Sequence, residues 1–326
     1  MKKALITGIN GQDGTYLADF LLKKGYEVIG TYRRTSHKSF ERLEYFDILN
    51  KIEVVRADLT DQISINKAIK ESKPDEVYNL AAQSFVGTSF DHPILTSDVT
   101  GLGAIRVFEA VKEFSPTSKI YQASSSEMFG NSDEIKNEDS RLSPASPYGI
   151  AKVFAHKSAQ HYRKAYDMFV CSGILFNHES PYRGLEFVTR KITSAIGNIL
   201  AKKQKKLFLG NIKAKRDWGF AGDYVKAMWL MLQQSTPSDY VIATGKSHSV
   251  ESFLEKSFEY SGLGDWKKYV EISEKYMRPS DIDNLVGDAS KAKKELNWEP
   301  EMSYDELVKL MVDSDLPQNN KSENFF

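Results

Sequence analysis

Residues 8–14 read Gly8-Ile9-Asn10-Gly11-Gln12-Asp13-Gly14, a G-x-x-G-x-x-G turn. The turn follows a short apolar run, Ala4–Thr7. It opens a segment whose apolar residues Tyr16, Leu17, Phe20 and Leu21 have helical spacing. A glycine triplet alone is weak evidence, and its bland reading is an ordinary strand-to-helix turn. Placed between a strand and a helix, it has the context that dinucleotide binding requires. Gly8 allows the tight turn, Gly11 lets the backbone approach a pyrophosphate, and Gly14 allows close helix–strand packing. The start of the helix offers free N–H groups and a positive dipole end to phosphates.

The alternation continues. Val28–Tyr32, Ile52–Leu59, Glu76–Ala81, Lys119–Ser124 and Phe169–Leu175 read as strands, with helical patterns between them near 94–113 and 146–166. Asp61 is a fair N-cap. Such a pattern predicts an α/β fold, a Rossmann-type doubly wound parallel sheet with helices on both faces. After Phe176 the alternation breaks. Helical segments at Val188–Ala201, Asp223–Gln234, Ser249–Tyr260 and Tyr304–Val312 surround a short strand at Leu207–Leu209. The expected organisation is a dinucleotide-binding domain over 1–175, with segments near 215–245 returning to it. A smaller α+β substrate-binding lobe over 176–316 and a flexible polar tail over 317–326 complete it.

The end of the second strand bears on cofactor choice. A carboxylate there would bind a ribose 2′-hydroxyl; the chain has Arg33, Arg34, Thr35 and Ser36 instead. Two guanidinium groups and two hydroxyls favour a 2′-phosphate, hence NADP. The bland reading is a pair of solvated arginines. Asp58 and Leu59 are expected beside the adenine. Leu80, Ala81, Ala82 and Gln83 are expected beside the central ribose and phosphates, with Asn10, Gln12 and Asp13 in the glycine-rich turn itself.

Tyr148 and Lys152 stand at i and i+4, so on a helix they share one face. An ammonium near a phenol is expected to lower the phenol's pKa and make Tyr148 a proton-transfer group for an alcohol. Tyr-x-x-x-Lys alone occurs by chance in many helices. Ser124-Ser125-Ser126-Glu127, at the end of the fifth strand, gives it specificity, because strand carboxyl ends carry the chemistry in a doubly wound sheet.

These three motifs together resemble the extended short-chain dehydrogenase/reductase superfamily. Longer stretches narrow the resemblance: 80–84, 122–130, 146–148, 173–181, 187–192, 209–211, 215–219, 239–245 and Arg278-Pro279. With these, residues 1–314 resemble the GDP-mannose 4,6-dehydratase family of sugar-nucleotide dehydratases. The resemblance implies Ser125, Glu127, Tyr148 and Lys152 as catalytic residues. Ser124, His178 and Arg183 join the cofactor site, although a lone histidine is as readily structural. Ser84, Asn177, Val188, Lys191, Leu209, Gly210, Asn211, Arg216, Arg278 and Asp281 are implied on the substrate side. Each charged member could instead be solvated, Asp281 most readily. Two departures stand out. Ser125 replaces the family's usual Thr, and the segment between Tyr260 and Arg278 is short. Whether the sugar is mannose or a related hexose or heptose stays open here, as does a reductase or epimerase on the same scaffold. A non-enzymatic NADP-sensing protein would be expected to lose Tyr148 or Lys152.

Composition bounds the rest. The 326 residues carry 44 Lys and Arg against 44 Asp and Glu. Zero net charge argues against bulk attraction to nucleic acid or an anionic membrane. The one cysteine, Cys171, allows no internal disulfide, so a reducing compartment, the cytoplasm, is expected. The histidines are scattered without metal-ligand spacing, so no metal is expected. Lys202–Lys206 reads as a solvated run. The resemblance also implies a homodimer or homotetramer and a GDP-sugar as the binding partner.

Overall fold

The computed structural model describes residues 1–36 and 39–317. The apolar runs of the first half become the strands of one sheet. In chain order the elements are β1 (Lys3–Thr7), α1 (Gln12–Lys23), β2 (Glu27–Tyr32), α2 (Glu41–Tyr45), β3 (Glu53–Arg56) and α3 (Gln62–Ser72). There follow β4 (Glu76–Asn79), α4 (Val86–Asp91), α5 (Pro93–Thr96), α6 (Gly103–Phe114), β5 (Lys119–Ser125), α7 (Pro147–Ala165) and β6 (Val170–Leu175). The second half contains β7 (Asn177–Glu179), α8 (Val188–Leu200), β8 (Leu207–Leu209), β9 (Lys215–Phe220), α9 (Ala221–Leu232) and β10 (Asp239–Ile242). It ends with β11 (Ser247–Ser249), α10 (Val250–Tyr260), β12 (Val270–Ile272), β13 (Asn284–Leu285), α11 (Ser290–Leu296) and α12 (Tyr304–Asp315).

The main sheet has seven strands in the order β10-β6-β5-β4-β1-β2-β3, and every neighbouring pair is parallel. β4 and β6 are buried along their whole lengths, as strands covered on both faces must be. One face is covered by Leu17 and Leu21 of α1 with Val225, Met228 and Met231 of α9. The other is covered by Ile65 and Ile69 of α3, Val107, Phe108 and Val111 of α6, and Ala155 and Ala159 of α7. The strand order reverses between β1 and β4, so a crevice opens where their carboxyl ends diverge.

Several boundaries differ from expectation. β3 stops at Arg56 and β4 at Asn79, leaving Asp58, Leu59 and Leu80 to Gln83 in the turns beyond. α1 begins at Gln12, inside the glycine-rich turn, because Gly11 takes an extended N-cap conformation. The helical pattern near 94–113 is interrupted by a wider turn at Ser97–Leu102 before α6. The seventh strand, β10, was not among the expected strands; it is only four residues long, and Asp239 breaks its apolar character. Its pairing with β6 joins Tyr240 to Gly173.

The remaining strands form smaller sheets. β9 is flanked by β11 and β13 and also pairs with β7; β12 pairs with β8. Over them Ile192 and Ile196 of α8, Phe253 and Leu254 of α10, and Val308 and Met311 of α12 enclose Trp218 in a separate apolar cluster. A further cluster of Met128, Phe129, Phe176, Val241, Ile282 and Leu285 lies between the two regions. Cys171 is buried in β6, and burial pushes its thiol up to about 11. No helix among the described residues is long and apolar enough to cross a membrane. Residues 318–326, nearly all of the expected tail, and His37 lie outside the described residues.

Candidate active site

A cleft of about 1040 Å³ runs from the glycine-rich turn across the end of β5 to the 275–281 segment. Its lining includes every site residue named from the sequence except Arg34, Thr35 and Ser36, which lie exposed outside it.

The turn is built for close approach. Gly8 has φ +71°, and a Cβ on Gly14 would meet Gly8 O at 2.4 Å and Ile9 Cα at 2.8 Å. The start of α1 has no side-chain cap, so its first N–H groups face the cleft without a competing oxygen. This uncapped, side-chain-free cradle fits a pyrophosphate, and the absence of a carboxylate from residues 33–36 fits a 2′-phosphate nearby. Gln12 and Asp13 turn instead toward β7. Gln12 Nε2 donates to His178 O at 3.1 Å and its Oε1 accepts from Ser180 Oγ at 2.7 Å. Asp13 Oδ2 lies 2.7 Å from His178 Nε2. Burial opposes both charges, yet the contact holds Asp13 below the usual carboxylate range and His178 above the usual imidazole range. His178 also faces Phe176 O at 2.8 Å and stacks on Tyr224. The polar atoms of these three side chains thus have protein partners that fasten the turn to β7.

Ser146 caps α7, its Oγ accepting from Gly149 N, and Pro147 opens the helix. That puts Tyr148 in the first turn and Lys152 in the second, both facing the end of β5. Glu127 and Ser125 are buried beside them, and Glu127 N donates to Ser125 Oγ at 3.2 Å. Lys152 Nζ donates to Ala123 O at 2.7 Å and sits 5.7 Å from the Tyr148 ring centre. The expected lowering of the phenol's pKa does not occur. Burial pushes Tyr148 up to about 12, outweighing its hydrogen bond with Ser125. Burial likewise lowers Lys152 to about 8. The ammonium is bonded to a carbonyl rather than to the phenol, so desolvation decides both groups.

Across the cleft, one carboxylate gathers the candidate phosphate partners. Asp281 Oδ1 lies 3.2 Å from Arg216 Nη2 and 3.6 Å from Arg278 Nη1. Asn211 Nδ2 approaches Asp281 Oδ2 at 3.4 Å. Arg216 Nη1 also donates to Ile282 O at 2.6 Å, and burial lowers its pKa. Lys191 Nζ sits 3.7 Å over the Tyr276 ring.

The profile of the family described as GDP-mannose 4,6 dehydratase matches residues 5–311. The chain belongs to this family. It is 55% identical over 325 residues to GDP-mannose 4,6 dehydratase 2 of Arabidopsis thaliana, covering 97% of this chain and 87% of that protein. It is 47% identical to the human GDP-mannose 4,6 dehydratase, covering 96% and 91%. Among solved structures, the dTDP-glucose 4,6-dehydratase of Bacillus anthracis in complex with NAD superposes with a TM-score of 0.86 at 22% identity, covering 99% and 98%. At that identity the likeness speaks for the fold.

Two residues of the site, Glu179 and Tyr276, were not among those expected from the sequence. Glu179 is buried, accepts from Thr189 Oγ1 at 2.6 Å and pairs with Arg183 Nε at 3.2 Å. Arg183 also stacks on Phe187, 3.5 Å from its ring centre. Tyr276 lines the cleft under Lys191. Glu179 stood inside a recognised motif; Tyr276, at the end of a one-turn 3-10 helix over Glu274–Tyr276, had no local signal. No group of three His, Cys, Asp or Glu among the described residues could hold a metal ion.

Proposed function

We propose that the protein is a GDP-mannose 4,6-dehydratase, converting GDP-mannose to its 4-keto-6-deoxy derivative with loss of water. Family membership supports the substrate. The observation that carries the chemistry is Glu127, a buried carboxylate in the same cleft as Ser125, Tyr148 and Lys152. A reductase or epimerase needs the hydroxyls but no carboxylate two residues on.

NADP is the cofactor that the cleft favours; when bound it accepts a hydride from sugar C4 and returns it to C6. The glycine-rich turn would hold its pyrophosphate, Arg33 its 2′-phosphate, Asp58 and Leu59 its adenine, and Leu80 to Gln83 its central ribose and phosphates. Tyr148 Oη takes the proton from the sugar O4, and Lys152, held by Ala123 O, would meet the nicotinamide ribose. Ser125 holds O4. The 4-ketone acidifies C5, where Glu127 removes the proton and passes it to O6 as water leaves; when C6 is reduced, Tyr148 returns the proton it took from O4 to C5. Arg216, Arg278 and Lys191 meet the GDP phosphates. In this reading residues 1–175, with 215–245, serve the cofactor, and 176–316 chiefly the sugar nucleotide. The protein acts as a cytoplasmic homodimer or homotetramer.

The test is incubation with GDP-mannose and NADP⁺, following 4-keto product. Product without net NADPH is expected. Net NADPH, epimer without dehydration, or turnover of UDP-, CDP- or dTDP-hexoses in preference would overturn the reading.

A further inference from the structure

Tyr148, Lys152 and His156 stand four residues apart on α7, so all three face the sheet. The proposed chemistry uses the first two and leaves the third, 2% exposed, without a part. His156 Nδ1 lies 3.0 Å from Ser124 Oγ, and Ser124 lines the cleft beside Ser125. One turn on, Gln160 Nε2 lies 3.1 Å from His156 Nε2. The same Gln160 nitrogen donates to Asp239 Oδ2 at 2.8 Å, and Asp239 Oδ1 is paired with Arg163.

This string of buried groups has a direction. Burial opposes the charge of Asp239, yet Arg163 holds its carboxyl below the usual range. A carboxylate only accepts hydrogen bonds. The Gln160 group facing it is therefore the NH2; the flipped amide would set oxygen against oxygen at that distance. An amide NH2 only donates. Its second hydrogen meets His156 Nε2, which must accept. Burial lowers the His156 pKa, so the ring is neutral at neutral pH. A neutral imidazole that accepts at Nε2 carries its proton on Nδ1. Nδ1–H then donates to Ser124 Oγ, and the hydroxyl proton of Ser124 is turned away from His156.

We propose that His156 is a positioning residue that makes Ser124 an obligatory hydrogen-bond donor into the cleft, with the polarity imposed by Asp239 through Gln160. The ligand group that such a donor recognises is an oxygen acceptor of the nicotinamide half of the cofactor, a carboxamide or ribose oxygen. The assignment rests on the reading of the cleft as a nicotinamide-cofactor site. Removing His156 frees the Ser124 hydroxyl to rotate and leaves it without its inner donor.

Two measurements on the full-length protein test this. Long-range 15N–1H NMR of the histidine rings, with no ligand added, is expected to show His156 protonated at Nδ1. A proton on Nε2 overturns the proposal, whatever the enzyme's activity. NADP binding titrations form the second. His156→Phe is expected to weaken binding roughly tenfold, the size of one lost hydrogen bond at the upper end. His156→Asn, whose amide can place an N–H where Nδ1–H stood, is expected to recover most of it. Ser124→Ala with His156→Phe should bind no more weakly than Ser124→Ala alone, because His156 acts through Ser124. Additive losses, or unchanged affinity in His156→Phe, overturn the proposal. Failure of GDP-mannose turnover with the tautomer and the binding cycle as expected would overturn the proposed function and leave this inference standing.

Discussion

At the end of β5, four consecutive residues, Ser124 to Glu127, bring hydroxyls and a carboxylate to one point. The first two turns of α7 bring Tyr148 and Lys152 to meet them. Across the cleft, Asn211, Arg216, Arg278 and Asp281 come from separate segments and converge through charge. The first wall is held by backbone: a strand end, a capped helix start and burial leave its groups little freedom. The second is held by mutual neutralisation of side chains. Backbone-held groups suit proton transfer, where small displacements are costly. Charge-held groups suit an anion, because their partner can be exchanged for phosphate.

That contrast can be broken in order of expected effect. Glu127→Gln should lower kcat by about 10³-fold or more with KM little changed, since it removes a proton carrier and no binding contact; a loss confined to KM would dissolve the distinction between the walls. Steady-state rates on GDP-mannose decide it.

Lys152→Met should lower kcat/KM by about 10²-fold while raising the melting temperature at pH 7. Burial holds the Lys152 pKa at about 8 against 10.5 unfolded. Between roughly pH 8 and 10.5 the unfolded chain binds the extra proton, so stability contributed at this site rises with pH through that window. Below it, the folded protein carries the full cost of a buried ammonium, on the order of 3 kcal/mol before the Ala123 bond is counted. The variant's thermal advantage should therefore shrink toward pH 10, and calorimetry across that range measures it.

On the ligand-binding side, Arg33→Ala should weaken NADP binding roughly thirtyfold and NAD binding little, as loss of a charge-assisted contact implies. Arg34→Ala, outside the cleft lining, should change either by less than about threefold. Asp281→Ala is the mildest test of the second wall. It should raise KM for GDP-mannose roughly tenfold with kcat nearly unchanged, by releasing Arg216 and Arg278 from their common partner. An equal fall in kcat would show that this wall, too, positions the chemistry.

The turn at 8–14, the strands it serves and the Ser-Ser-Ser-Glu and Tyr-x-x-x-Lys motifs were legible because each depends on neighbours along the chain. Glycine spacing, helical periodicity and an N-cap are local rules. β10 was not legible, since its four residues become a strand only by pairing with β6. Arg216, Arg278 and Asp281 could be named singly, but their convergence needs β13 laid beside β9.

The order of residues along the chain was enough to place a dinucleotide-binding turn, a proton-transfer pair and a carboxylate on one α/β sheet. Their electrostatics came from packing. Tyr148 rises to about 12 and Lys152 falls to about 8 because both are enclosed by elements remote in sequence. The direction of the Ser124–His156–Gln160–Asp239 string was decided the same way. Desolvation depends on what surrounds a group in space, and no spacing along the chain encodes it.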